Sequence, residues 1–226
     1  MWCIPELTPQ FIERMEDILD LYERPLDPKE PVVCLDERPV QLLEDARDPI
    51  PASKPGKIFK RDSEYVRCGT ANIFCAVEPK AGKHITKATK NRKAPQFARM
   101  AKEVAQDYPK TKTIHLVMDN LNTHKQKSLT DYYGEKLGGT IWGRFTPHYT
   151  PTHASWLNQA EIEIGILSKQ CLGKDRIPGL PPLKSRVKAW NRRTNRMETK
   201  IDWQFTKSKA RKKFKYAGTT SCLSEY

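Results

Sequence analysis

Two short apolar runs in this chain are each followed by an aspartate. The first run covers residues 31–35 and precedes Asp36, and the second covers residues 114–118 and precedes Asp119. Runs this short and this uniformly apolar predict strands that are buried on both faces of a sheet. Each strand is expected to end at its aspartate, and ligands of open α/β sheets gather beyond the carboxyl ends of such strands. The pattern therefore predicts two carboxylates at one edge of a sheet.

Apolar residues at helical spacing predict a helix at two places before the second aspartate. One helix runs from residue 9 to about residue 23, with Thr8 as its N-cap and Pro9 in its first turn. The other runs over residues 95–108 and leads directly into the second apolar run. Prolines between residues 25 and 31 predict an extended linker that separates the first helix from the first strand.

The remaining elements predict strands of mixed direction. Apolar runs broken by turn residues over residues 65–90 are typical of antiparallel strands. A short helix is expected to carry residues 129–137 and to end at a pair of glycines, and a last strand is expected at residues 141–146. A loop then leads to an amphipathic helix that begins at Glu161. This order predicts an α/β fold in which helices flank a mixed sheet.

Charge indicates the kind of partner. The chain has 226 residues and a formal net charge of +13, and residues 183–216 contain 13 Lys and Arg against two acidic residues, a net charge of +11. So dense a basic segment is typical of a protein that binds polyphosphate, although an acidic membrane surface or a solvated face without a partner also fits. An apolar stripe predicts a helix there, with Arg186, Arg192 and Arg193 mostly off the stripe.

Composition excludes several classes of protein. No stretch reaches the ~18 apolar residues of a membrane span and the start lacks a signal-peptide pattern, so a cytoplasmic protein without a membrane partner is expected. The six cysteines show no Cys-x-x-Cys spacing, which favours reduced structural thiols over zinc or disulfide roles. Neither a phosphate-binding glycine loop nor a Gly-x-Ser-x-Gly elbow is present, which disfavours nucleotide hydrolases and serine esterases.

The residue types alone leave the role of the carboxylates open. An ionised carboxylate beside a core is costly unless it is paired or metal-bound, but capping of the following turn explains Asp36 and Asp119 equally well. Glu161 and Glu163 lie about 80° to either side of the buried stripe of their helix, so periodicity does not choose between them. Asn158 falls on the side of Glu161, where it could hold a carboxylate or a phosphate.

The sequence favours ordinary hydrogen bonding for the histidines over imidazole catalysis or zinc binding. No His-x-x-His or Cys-His cluster has the spacing of zinc ligands. His148 and His153 lie in the stretch that leads to Glu161, where contact with a substrate is a candidate role.

Three motifs together resemble the signatures of mariner-related bacterial insertion-sequence transposases. They read VCLDERP at residues 33–39, LVMDNLNTH at residues 116–124 and TPTHASWLNQAE at residues 150–161. The last is the most specific, because Ser-Trp-Leu-Asn followed three residues later by Glu is hard to meet by chance. The resemblance covers residues from about 5 to about 214. One departure is Ile164-Gly165, where relatives carry an aromatic pair, and a helical glycine costs about 1 kcal/mol relative to alanine.

The resemblance implies a ribonuclease-H-like catalytic domain of a DDE transposase. Its Asp-Asp-Glu triad falls on Asp36, Asp119 and Glu161, which selects Glu161 over Glu163. The resemblance also implies Mg²⁺ or Mn²⁺ as cofactor, two ions held by these three residues, and oxygen-only ligation suits both metals. The implied reaction is cleavage of DNA at the ends of an insertion element, followed by attack of the freed 3′-hydroxyl on target DNA.

The same resemblance implies the partners and the organisation of the chain. DNA is expected as terminal repeats and as target, and the expected contacts are Asn158, His153, Arg186, Arg192 and Arg193. A homodimer assembled on DNA is expected in the bacterial cytoplasm at the nucleoid, with the helix-turn-helix reader module supplied by another or a fused reading frame. Three regions are predicted: an N-terminal helix and linker at residues 1–30, the catalytic domain at 31–175 and a basic helical extension at 176–226. The alternatives are an inactive remnant that only binds DNA and a general ribonuclease-H-like nuclease.

Overall fold

One mixed sheet organises the protein, whose computed structural model describes residues 7–53 and 56–216. Its five strands lie in the order β3-β2-β1-β4-β5. β1, β4 and β5 are parallel to one another, and β2 runs antiparallel to both β1 and β3. The predicted mixed sheet is therefore confirmed. The strands are β1 Val32–Asp45, β2 Tyr65–Glu78, β3 Lys83–Thr89, β4 Ile114–Met118 and β5 Phe145–Tyr149.

Helices cover both faces of this sheet. One apolar cluster packs α2, α3 and α4 on one face, and a second cluster packs α1, α7 and the segment that starts α5 on the other. A third cluster packs α6 against the β2 and β3 end of the sheet. The helices are α1 Pro9–Glu23, α2 Ala94–Asp107, α3 Gln126–Tyr133, α4 Glu135–Trp142, α5 Ala160–Leu167, α6 Leu180–Met197 and α7 Lys207–Phe214.

The first helix begins as its sequence predicts. The Thr8 hydroxyl oxygen accepts a hydrogen bond from the backbone N–H of Phe11 at 3.2 Å, and Pro9 occupies the first turn. The apolar side chains at helical spacing, from Phe11 to Tyr22, are buried. The second predicted helix, α2, and the buried strand β4 that follows it are likewise found where the pattern places them.

The first strand does not end at Asp36, which corrects the prediction. β1 pairs with β4 only from Val32 to Cys34, but its antiparallel pairing with β2 continues to Asp45. Beyond Asp36 the strand therefore has a neighbour on one side only, which explains its polar residues and its tolerance of Pro39, a residue without an N–H to donate. Asp36 lies where β1 loses β4 as a neighbour.

The region after β4 also differs from the prediction. Gly134, with a φ of +83°, divides the single predicted helix into α3 and α4. Gly138 does not form a turn but lies inside α4, where a β-carbon would stand 2.6 Å from the carbonyl of Leu129. Glycine here allows the two helices to pack closely. Since the predicted turn is helical, β5 begins later than expected, at Phe145.

Side-chain alternation places both aspartates on the same face of the sheet. Cys34 of β1 and Val117 of β4 belong to the cluster that also contains Ala160 at the start of α5. Because alternate residues of a strand share a face, Asp36 lies on the same face as Cys34. Asp119, two residues after Val117, lies on the same face as Val117. The helix that carries Glu161 covers this face.

Two predictions concern the class of protein rather than the site. Cys34, Cys68, Cys75 and Cys171 are free thiols, and Cys3 and Cys222 lie outside the described residues. Over the described part of the chain, every helix is too short or too polar to span a bilayer.

Candidate active site

Asp36 is held from two sides, and among the described residues no cation pairs with it. One carboxylate oxygen accepts the backbone N–H of Glu37 at 2.7 Å, and the other lies 3.4 Å from the side-chain nitrogen of Asn158. Burial raises the pKa of Asp36 to about 7, and the negative charges of Glu161, Glu37 and Asp119 act in the same direction. The charges of Glu161 and Asp119 therefore act on Asp36, so the three predicted carboxylates lie near one another on this face of the sheet.

Asp119 is oriented by a buried histidine. Its Oδ1 accepts the backbone N–H of Leu121 at 3.1 Å and lies 2.7 Å from Nδ1 of His124. The other ring nitrogen of His124 lies 3.2 Å from Oε2 of Glu37, and both of these side chains are almost fully buried. Neither ring nitrogen forms a well-aligned hydrogen bond, so these contacts are ion pairs. His124 thus connects Asp119 to the residue that follows Asp36.

The charges of this group are linked. Burial alone would lower the pKa of His124, but Asp119 and Glu37 together raise it to about 9, so the ring is positively charged at neutral pH. Partial burial would raise the pKa of Asp119, but its contacts with His124 and Leu121 and the charge of Arg92 outweigh it, and the pKa is lowered. Asp119 is therefore an ionised carboxylate in a fixed orientation.

The two glutamates of α5 have different environments. Glu163 is buried, and its carboxylate lies 2.9 Å from Nε2 of the fully buried His84 on β3. Glu161 lies in the first turn of the helix and is exposed, and its charge contributes to the raised pKa of Asp36. Periodicity could not distinguish the two glutamates, whereas in the fold Glu163 contacts His84 of β3 and the charge of the exposed Glu161 acts on Asp36.

Asn158 is a buried residue that contacts Asp36. It is 1% exposed, and its side-chain nitrogen donates to the carbonyl of Leu35 at 2.9 Å besides approaching Asp36. Its side-chain oxygen accepts the backbone N–H of Ala160 at 3.2 Å at the start of α5. Of the two roles that the sequence left open for Asn158, contact with a carboxylate is the one observed. The residue joins β1 to the helix that carries Glu161.

The other predicted contact residues lie outside this group. His153 is exposed in the loop before α5, with a φ of +62°. Arg186, Arg192 and Arg193 are on α6, where Arg186 pairs with Asp175. No contact in the described part of the chain joins any of these four residues to the carboxylates.

Two further histidines form a separate chain of contacts between the sheet and α1. Nδ1 of His115 lies 3.0 Å from Nε2 of His148, whose Nδ1 lies 2.6 Å from a carboxylate oxygen of Asp17. The second ring nitrogen of His115 lies 3.6 Å from Glu30. Burial and the neighbouring His148 lower the pKa of His115.

The donor chemistry of the carboxylate group suits a hard divalent cation. Asp36 and Glu161 form no ion pair with another described residue, so their negative charge is left without a protein cation. Oxygen-only ligands suit Mg²⁺ and Mn²⁺. Within residues 7–53 and 56–216, no three His, Cys, Asp or Glu side chains are already gathered closely enough to hold a metal ion.

The sequence does not predict the roles of Glu37 and His124. Both lie within the family motifs, but no pattern in the sequence indicates that they form the buried contacts that orient Asp119. Their positions could have indicated a role in the site, because each lies within the same short motif as one of the aspartates.

The comparison with protein families decides what this arrangement belongs to. A model of the DDE superfamily endonuclease family matches residues 31–184, which includes all three carboxylates. The chain belongs to this family. The match confirms the family predicted from the three motifs, and a bacterial origin stays a prediction. A comparison with curated protein sequences finds no match.

Solved structures similar to this chain include several of the Mos1 transposase. The Mos1 mariner paired end complex with Mn has a TM-score of 0.54 and 14% identity, over 88% of this chain and 60% of that chain. The paired-end complex with the left transposon end has the same TM-score with 13% identity, over 88% and 62%. The Mos1 strand transfer complex also has a TM-score of 0.54 and 13% identity, over 88% and 61%. At this identity the likeness shows the fold, which confirms the predicted ribonuclease-H-like architecture. This chain spans about 60% of the length of those proteins.

Proposed function

We propose that this chain is the catalytic domain of a transposase, which cleaves DNA at the ends of a mobile element and joins the freed ends to target DNA. The observation that supports the proposal is that the charges of Asp119 and Glu161 act on Asp36 at one face of the sheet, where Asp36 and Glu161 lack a cationic partner among the described residues. Family membership and the printed descriptions of the similar structures, which are transposon-end and strand-transfer complexes, support the same function.

The three carboxylates would hold Mg²⁺ or Mn²⁺, and we propose two ions. Ions bound there would stabilise both the attacking and the leaving oxygen of an in-line phosphoryl transfer. Asp36 contributes from a strand that is paired with β2 along its length, so its position is rigid. His124 and Glu37 hold Asp119 in one orientation, and Asn158 fixes the start of α5 against β1. Since the carboxylates act on oxygens of DNA and water, the reaction needs no protein nucleophile.

The exposed loop before α5 is the part of this face that we assign to the substrate. His153 is exposed there and would contact DNA, whereas Asn158 would act indirectly by holding Asp36. We retain residues 31–175 as the catalytic domain, preceded by the helix and linker of residues 1–30 and followed by the basic extension of residues 176–226. The same proposal includes recognition of the terminal repeats by a helix-turn-helix module. It also includes a homodimer on DNA and a cytoplasmic location at the bacterial nucleoid.

Metal-dependent cleavage tests the proposal directly. Purified protein is incubated with labelled duplex DNA in Mn²⁺ or Mg²⁺, and nicks and joined products are resolved on a denaturing gel. Asp36→Asn, Asp119→Asn and Glu161→Gln are each expected to reduce cleavage at least ~100-fold, because each removes a charged ligand. Glu135→Gln is the matched control, since this exposed glutamate lies in α4 away from the site. It is expected to keep wild-type activity.

Two results would contradict the proposal. One is cleavage that persists at the wild-type rate in chelator or in Asp119→Asn. The other is Mn²⁺ binding, measured by calorimetry, that is unchanged by the three substitutions. Comparison of duplex DNA with an RNA–DNA hybrid adds a test of substrate, because preference for the hybrid would indicate a general ribonuclease-H-like nuclease instead.

A further inference from the structure

The basic helix α6 lies along the edge of the sheet in a fixed rotation. The side-chain oxygen of Asn191 accepts the backbone N–H of Thr86 at 3.0 Å. Asn195 accepts the backbone N–H of His84 at 2.7 Å and donates to the carbonyl of the same residue at 2.8 Å. Four residues of helix rise about 6 Å and two residues of strand about 6.6 Å, so the two asparagines match alternate residues of β3. They satisfy edge groups that no strand pairs.

This rotation divides the basic residues of α6 between two sides of its buried stripe, which is formed by Leu183, Val187 and Trp190. On one side, Arg186 pairs with Asp175 at 2.8 Å and Arg193 donates to Gln170 at 3.0 Å. These two arginines have partners within the chain.

On the other side of the stripe, Lys184, Lys188 and Arg192 are exposed. None of the three forms an ion pair or a hydrogen bond with another described residue. Their spacing of four residues places them in a row, with about 6 Å of helix rise between neighbours. These three residues are called the basic row below.

The basic row borders a cleft between α6, β3 and α2, with a volume of about 610 Å³. The opposite wall carries Lys83 and Lys87, which pair with Asp107 and Glu103 of α2. Since these four charges cancel, the three cations of the basic row give the cleft a net charge of +3. A cleft lined by unpaired charge of one sign concentrates counter-ions of the opposite sign.

We propose that the basic row binds the phosphate backbone of duplex DNA, an inference that rests on the proposed function for the nature of the substrate. Each strand of a duplex presents one phosphate per ~3.4 Å of axis and winds around that axis, so three cations spread over ~12 Å of helix can contact neighbouring phosphates of one strand. Two of the three cations are lysines, which act as point charges, and the guanidinium of Arg192 can donate charge-assisted hydrogen bonds to phosphate oxygens. The contact therefore positions the duplex without selecting its sequence.

The test uses the full chain and a short fluorescein-labelled duplex of arbitrary sequence, in chelator so that the DNA stays intact. The variant combines Lys184→Gln, Lys188→Gln and Arg192→Gln, and fluorescence anisotropy gives the affinity over a range of salt. Each phosphate contact contributes about 0.9 to the slope of log affinity against log salt, so the slope should fall by about 2.7. At about 0.15 M salt the same relation gives a loss of affinity on the order of 100-fold.

A matched control removes the same charge elsewhere. Lys29→Gln, Lys110→Gln and Lys136→Gln change exposed lysines whose side chains form no ion pair with another described residue and do not line the cleft, and this variant should keep a slope close to that of the wild type. A second control, Lys184→Arg with Lys188→Arg and Arg192→Lys, keeps the three charges and should keep the affinity. Circular dichroism melting verifies that every variant is folded.

Three outcomes would overturn the inference: equal losses in the basic-row and control variants, wild-type affinity in the folded basic-row variant, or competition by single-stranded RNA as strong as that by duplex DNA. Nicking separates this failure from failure of the proposed function. If the basic-row variant binds like the wild type while Asp119→Asn abolishes nicking, only the inference fails. If the variant loses affinity but the wild type never nicks DNA in metal, the inference stands and the proposed function fails.

Discussion

Replacing His124 with glutamine removes the cation that lies between two carboxylates. Glu37 and His124 are 2% and 1% exposed at their side chains, whereas Asp119 is 41% exposed. The glutamine side chain keeps part of the volume but leaves the buried charge of Glu37 with one partner, Arg92, at 3.4 Å. The substitution should therefore destabilise the protein through an uncompensated buried charge.

The size of the effect follows from burial. Breaking a buried ion pair by removing one partner costs about 3–5 kcal/mol. The lower end applies here, because Asp119 reaches water and Glu37 keeps Arg92, so we expect a loss of about 3 kcal/mol. For a chain of this size, 1 kcal/mol shifts the melting temperature by about 2–4 °C, which gives a decrease of roughly 6–12 °C.

Urea unfolding followed by tryptophan fluorescence, in chelator so that no metal contributes, measures the free energy of unfolding. Glu37→Gln combined with His124→Gln should recover at least half of the loss, because both charges of the buried pair are then absent. His153→Gln is the matched control, since His153 is exposed in a loop, and should change stability by less than about 0.5 kcal/mol. A His124→Gln protein as stable as the wild type, or a double variant no better than the single one, would refute the reasoning.

Three further predictions concern other parts of the fold. His115 has a lowered pKa, so its own contribution to the free energy of unfolding should decrease as the pH falls below about 6.5, where the unfolded histidine gains a proton. The raised pKa of Asp36 acts in the opposite direction in both proteins, so the His115 contribution is measured as the difference between them, and His115→Gln should become more stable relative to the wild type as the pH falls. Gly165→Ala should stabilise the protein by about 1 kcal/mol in urea unfolding, because a β-carbon there meets nothing within 4 Å and alanine favours helix. Gly138→Ala should destabilise it by several times that amount, since its β-carbon would meet the backbone between α3 and α4. Replacing Asn191 and Asn195 with alanine should raise amide hydrogen exchange in β3, because backbone groups of that edge strand lose their partners.

Each of these predictions has an outcome that contradicts it. Equal acid sensitivity of the wild type and His115→Gln would show that this histidine does not titrate on unfolding. A similar effect of alanine at Gly165 and at Gly138 would show that close helix packing does not decide the cost. Unchanged exchange in β3 of the Asn191 and Asn195 variant would mean that the edge of β3 does not depend on α6.

The elements with strong local signals were predicted well. α1 and α2 have a proline in the first turn and regular apolar spacing, so their positions follow from the sequence alone. β1 was predicted too short, because the polar stretch that includes Pro39 looks like the end of a strand. Within the described sheet, β2 is the strand that pairs with that stretch, and such pairing depends on a segment distant in the chain.

The candidate site divides in the same way between local and distant information. Asp36 and Asp119 stand out because each follows a short apolar run. Only the family motif distinguishes Glu161 from Glu163 in the sequence. In the structure the two glutamates differ because Glu163 contacts His84 of β3, a residue distant in the chain. The pairing of His124 with Glu37 joins residues 87 positions apart, beyond the reach of any periodic pattern.

The long pairing of β1 with β2 has a consequence for which changes of length the chain can accept. Successive residues of a strand face opposite sides, so inserting or deleting one residue between Val32 and Asp36 would move the aspartate to the face covered by α2. A change of one residue would therefore be enough to remove the aspartate from the candidate site, although most of the sheet would keep its pairing. After Asp45, where the strand ends, an added residue changes no register. Engineered insertions, such as tags or linkers, should therefore be placed beyond Asp45 and kept out of the first half of β1.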